Sequence, residues 1–110
     1  MKRVFLSYAW EDNQTVRRLL AELRQLPCII DFYEGALELD SESEAAIPVK
    51  QAIGEKILGC SITVCLVGDK THLSSWVDIE LKKSRDKGNR IIAMALKGVT
   101  SAVLPGLIKE

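Results

Sequence analysis

"SITVCLVG", residues 61–68, holds two hydroxyl side chains near its start, then runs apolar to a closing glycine. So short and apolar a run suits a strand covered on both faces, as in a parallel sheet. The flanking segments agree. Upstream, Pro48 suits a first helical turn, and Val49, Ile53 and Ile57 make one apolar face that stops at Gly59. Downstream, "DKTHLSS" (69–75) reads as a loop, and Ser75 with Asp78 three residues on resembles a capping box. The spacing predicts a helix from Trp76 to about Lys87, stopped by Gly88, and then a strand in "RIIAMAL" (90–96).

Further out the alternation continues. "RVFLSY" (3–8) reads as a buried strand and "CIIDFY" (28–33) as another. Between them "EDNQTVRRLLAELRQL" (11–26) places Val16, Leu19, Leu20, Leu23 and Leu26 at helical spacing. Asp12 and Asn13 are its capping candidates and Pro27 its stop. "EGALELDSESEAA" (34–46) carries five acids and no base, and reads as a loop. The order β-α-β-α-β-α-β implies an α/β, flavodoxin-like three-layer sandwich with a parallel sheet ordered 2-1-3-4. About a dozen residues follow the fourth strand, room for one short strand or turn at most. The expectation is a single domain over 1–110 with a shortened C-terminal end and a short or missing fifth strand.

The totals exclude several function classes. Lysine and arginine balance aspartate and glutamate at 15 each, which argues against a nucleic-acid or membrane-surface partner. No apolar run approaches the roughly 18 residues of a membrane span. "MKRVFLSYAWED" (1–12) lacks the apolar core and cleavage site of a signal peptide, so a cytoplasmic location is expected. Cys28, Cys60 and Cys65 form no CxxC pair and read as small hydrophobes, not metal ligands. The glycines are scattered, so neither a dinucleotide fingerprint nor a P-loop is present. His72, the single histidine, lacks companions for a triad or a metal site and reads as an exposed loop residue.

Parallel sheets bind ligands beyond the carboxyl ends of their strands, where strand order reverses. That rule selects "SYAWED" (7–12), the acidic loop, and "GDKTHLSSWVDIE" (68–80).

These segments carry a likeness. "RVFLSYAWED", "SITVCLVGDKT" and "SSWVDIELKKSRDKGNRIIAMAL" together resemble the Toll/interleukin-1 receptor (TIR) domain, most closely the TIR-like proteins of bacterial Thoeris anti-phage defence. The shared features are a Ser-Tyr box ending strand one and a third helix opening Trp-Val-x-x-Glu-Leu, here Trp76, Val77, Glu80 and Leu81. The resemblance implies a TIR-like fold and an enzyme that cleaves NAD+ at the nicotinamide-ribose bond, NAD+ being substrate and no cofactor being needed. Glu80 is then the catalytic carboxylate. The implied product is ADP-ribose or a cyclic isomer, sensed by a downstream effector. The alternative is a non-catalytic TIR module that works by assembly.

Under this resemblance Ser7, Tyr8, Ala9, Trp10, Asp12 and Trp76 are the candidate substrate-binding residues. An aromatic at Tyr8 or Trp10 can stack on a base, and the backbone at Ala9 can meet phosphate. Each has a plainer reading: Tyr8 and Trp76 as core anchors, Trp10 as a loop cover, Ser7 as a local hydrogen-bonding group. Glu80 too has one, a surface glutamate paired with Lys83 or Ser84 one turn on. The acids of 34–46 and the bases Lys82, Lys83, Arg85, Lys87 and Arg90 suggest head-to-tail self-association between the loop and the helix of a second copy.

Overall fold

The computed structural model describes residues 2–33, 39–96, 98 and 103–109. Its strands are β1 (Lys2–Tyr8), β2 (Cys28–Asp31), β3 (Ile62–Val67) and β4 (Arg90–Ala95), and its helices α1 (Asn13–Leu23), α2 (Ala46–Leu58), α3 (Ser75–Lys87) and α4 (Gly106–Lys109). Two short 3-10 turns, Trp10–Asp12 and Thr71–Leu73, follow β1 and β3. Every strand pairing is parallel and the order is β2-β1-β3-β4, the order expected from the sequence.

Period-two alternation sorts the strand residues between two helical layers. Val4, Leu6, Tyr8, Val64 and Leu66 face α1, packing on Val16 and Leu20. Phe5 faces the other way into Ile53 and Ile57 of α2, and Cys65 and Val67 meet Val77 and Leu81 of α3. Among the fully buried residues of that second face two are polar: Ser7 of β1 and Thr63 of β3.

Helix α3 is closed at both ends. Ser74 Oγ accepts the Val77 N–H at 3.3 Å, so the cap lies one residue before the expected Ser75. Asp78 does not complete a capping box; its N–H donates to the Ser74 carbonyl. At the far end Gly88 adopts φ 94°, which a glycine tolerates, and the Gly88 and Asn89 N–H groups donate to the Arg85 and Ser84 carbonyls, each at 2.9 Å.

Other expectations shift. Helix α1 ends at Leu23, and turns carry the chain through Leu26, whose side chain is exposed. Asp12 stands at its N-cap without a side-chain cap bond. Among the described residues after β4, Gly106–Lys109 form the short helix α4, with Leu107 and Ile108 packed on the α3 cluster. Of the acidic loop, residues 34–38 lie outside the described residues.

Candidate active site

A pocket of about 530 Å³ opens at the carboxyl edge of the sheet. All three segments selected by the strand-order rule contribute: Trp10 and Glu11 after β1, Asp40 and Ser41 after β2, and Lys70 and Trp76 around the start of α3. Two bonds tie the second segment to the third. Trp76 Nε1–H donates to the Leu39 carbonyl at 2.8 Å, and Ser41 Oγ donates to Ser75 Oγ at 3.0 Å. Trp76 is buried in the core with Phe5, Ile53 and Ile57 while one edge lines the pocket. Trp10 stands at the rim, 36% exposed.

One helical turn after Trp76, Glu80 is only 2% exposed and does not line the pocket. Its Oε1 accepts the Ser7 hydroxyl at 2.9 Å. Burial raises the Glu80 carboxyl to about 8, with the Ser7 hydrogen bond opposing that rise. The surface reading of Glu80 is therefore set aside: neither Lys83 nor the Ser84 side chain pairs with its carboxylate among the hydrogen bonds and ion pairs of the described residues. Ser84 Oγ instead donates to the Glu80 backbone carbonyl at 2.9 Å. Nor is the Ser7 bond local, since it joins β1 to α3. From β3, Cys65 lies close enough to feel the carboxylate. Burial, then Glu80 and Asp78, push its thiol to about 12, so it stays neutral and inert.

Asp12 turns toward the end of β3. A Cβ placed on Gly68 would lie 2.2 Å from Asp12 Oδ2, so the carboxylate occupies the space that glycine leaves. Burial raises the Asp12 carboxyl, Glu11 and Asp69 add to the effect, and a hydrogen bond with Thr71 opposes it. Thr71 Oγ1 in turn accepts the Gly68 N–H at 2.7 Å. Asp12 thus links the turns after β1 and β3, and is not among the pocket-lining residues. Tyr8 and Ala9 are buried, Tyr8 against Phe32 with ring centroids 6.4 Å apart. Of the seven residues singled out in sequence, Trp10 and Trp76 line the pocket and Ser7 and Glu80 form a buried pair beside it.

His72 is half-buried, not exposed, and its Nδ1 has no hydrogen-bond partner among the described residues. No group of three or more His, Cys, Asp or Glu side chains among those residues is placed to hold a metal ion.

A family model described as "Thoeris protein ThsB, TIR-like domain" matches residues 5–101. This chain belongs to that family. The matched span runs from β1 past β4 and takes in Ser7, Trp76 and Glu80. A relative from Bacillus cereus (strain MSX-D12), described as "Putative cyclic ADP-D-ribose synthase ThsB1", is 29% identical over 99 residues, covering 84% of this chain. The chain spans about half the length of that curated relative, 50%. Among the described residues of this TIR-like domain, no helix is long and apolar enough to cross a membrane.

Sequence reasoning did not single out Lys70, Ser41 or Ser74 as site residues, although all three line the pocket. Lys70 had a usable signal, being the one cation in the segment directly after β3. Ser41 had none, because only the fold brings residue 41 against residue 75.

Proposed function

We propose that this TIR-like domain cleaves NAD+ at the bond between nicotinamide and ribose, with Glu80 as the catalytic carboxylate. The observation that carries this reading is a buried glutamate, one turn below a tryptophan that lines the carboxyl-edge pocket. The Bacillus cereus relative, described as a cyclic ADP-D-ribose synthase, supports the same substrate class.

The chemistry suits a single acid. Nicotinamide in NAD+ already carries positive charge, so it leaves as a neutral ring without being protonated. The difficulty is the oxocarbenium-like charge that develops on the ribose as the C1′–N bond breaks. For this the ribose reaches past the Trp76 edge of the pocket to the buried carboxylate, and an ionised Glu80 there stabilises that charge more than it stabilises the ground state, which lowers the barrier. Water then adds its hydroxyl to C1′ and loses a proton, giving ADP-ribose. Attack by a nitrogen of the adenine gives a cyclic isomer instead. Lys70 is the cation available to the pyrophosphate, while Glu11 and Asp40 suit the cationic ring and the ribose hydroxyls.

The acid limb follows from Glu80. With its carboxyl raised to about 8, the free enzyme holds it mostly protonated at neutral pH. Activity that needs the ionised form therefore rises with pH, and kcat/KM has its acid limb near that value. Bound cationic nicotinamide favours ionisation, so the limb in kcat lies lower.

The product is proposed to signal to a downstream effector in anti-phage defence, following the family. The acidic 34–46 segment and the basic 82–90 segment are proposed to meet in neighbouring copies.

Incubation with NAD+, followed by chromatography, tests the reading. Free nicotinamide with ADP-ribose or its cyclic isomer is the expected result. Intact NAD+ at high protein concentration would instead assign the domain to non-catalytic assembly. Cleavage of simple nucleosides in place of NAD+ would point to a nucleoside-processing transferase.

A further inference from the structure

Ser7 was a candidate for contact with substrate, yet it is fully buried and does not line the pocket. Its second-face neighbours on the strands are Phe5, Cys65 and Val67, all core residues. A hydroxyl in such a place is unfavourable unless it is hydrogen-bonded. Its partner is the one carboxylate the proposed chemistry needs.

We propose that Ser7 is a positioning residue for Glu80: its hydroxyl, donated across from β1, aims the carboxylate and shares its negative charge. This rests on the reading of Glu80 as catalytic. The geometry is built from two levels. Ser7 is in register with Cys65, and Phe5 with Thr63, so Ser7 and Thr63 sit two residues apart on adjacent strands, about 6.6 Å along the strand direction. Glu80 and Ser84 sit one turn apart on α3, about 6 Å. The spacings match, and each strand hydroxyl meets one helix residue: Ser7 Oγ to Glu80 Oε1 at 2.9 Å, and Thr63 Oγ1 to Ser84 Oγ at 2.7 Å. Ser84 Oγ also holds the Glu80 carbonyl. The lower pair fixes the backbone of residue 80, and the upper pair fixes its side chain.

The surroundings leave Ser7 as the influence that opposes the upward push of burial on the carboxyl. From β3 the facing titratable group is Cys65, neutral below about 12. On α3 itself the nearest acid is Asp78, whose own carboxyl is raised by burial. No charge from α2 is among the causes that act on the Glu80 carboxyl, which are burial and the Ser7 hydrogen bond. A donor hydroxyl stabilises the ionised form and so extends activity toward lower pH.

The experiment pairs two readouts on wild type, Ser7→Ala and Ser7→Thr. Carboxyl-labelled glutamate NMR follows the titration of Glu80 directly, and nicotinamide release gives kcat/KM against pH. Ser7→Ala is expected to move the Glu80 midpoint and the acid limb upward together, with activity at neutral pH down by about tenfold. Ser7→Thr keeps the hydroxyl and returns both toward wild type. Where Ser7→Ala does not fold, Ser7→Cys replaces it as a variant of near-equal shape and weaker donor strength. A Glu80 midpoint unmoved in a folded Ala or Cys variant overturns the role of Ser7. If wild type releases no nicotinamide while the midpoint still moves, the NAD+ reading fails and the Ser7–Glu80 link stands.

Discussion

At residue 68 the chain has room for a hydrogen and nothing larger. Asp12 fills the space beside Gly68, with Thr71 as its hydrogen-bonding neighbour. Gly68→Ala should therefore destabilise the fold by about 1–3 kcal/mol. In an Asp12→Ala background the same change should be cheaper, with a coupling of about 1 kcal/mol or more by urea denaturation. Additive effects would show that Asp12 and Gly68 do not share the space. The link was hidden in the sequence. Asp12 reads as a helix cap because capping acids stand just before helices, and only the approach of the β3 end redirects its side chain. Ser7 was hidden for the same reason: a serine ending a strand carries no mark of a partner on a distant helix.

Elements were more legible than contacts. Strand β3 announced itself because burial on both faces favours a nearly continuous apolar run, interrupted only by Thr63, and helices α2 and α3 because Gly59 and Gly88 punctuate them. Helix starts were read less well, as at α3. Ser74 and Ser75 are chemically alike, and the choice between them depends on which one keeps an extended backbone; Ser74 has ψ 116°. Ser74→Ala should cost about 1 kcal/mol through the lost cap, read as a lower urea midpoint at unchanged slope. Because α3 carries Glu80, the same variant should also slow nicotinamide release. A variant as stable as wild type would mean that the Ser74 hydroxyl does not hold the helix start.

The whole molecule is asymmetric. Helices α2, α3 and α4 line one face of the sheet, whereas on the other α1 packs on β1, β2 and β3. Met94 on β4 is 51% exposed. Charge is uneven as well, with acids in 34–46 and bases from Lys82 to Arg90. If neighbouring copies meet through these segments, reversing Lys82, Lys83 and Arg85 to glutamate should weaken self-association at low salt, as read by analytical ultracentrifugation. Unchanged association would remove that proposal and leave the site untouched. Parallel topology and the carboxyl-edge pocket followed from the alternation of elements, while the pairing of β1 with α3 inside the core required the fold. The central claim is that Glu80 cleaves NAD+. Its most direct measurement is nicotinamide released from NAD+ by wild type and by Glu80→Gln at matched thermal stability. The account predicts release by wild type and none above background by the folded variant; equal release by both would contradict it.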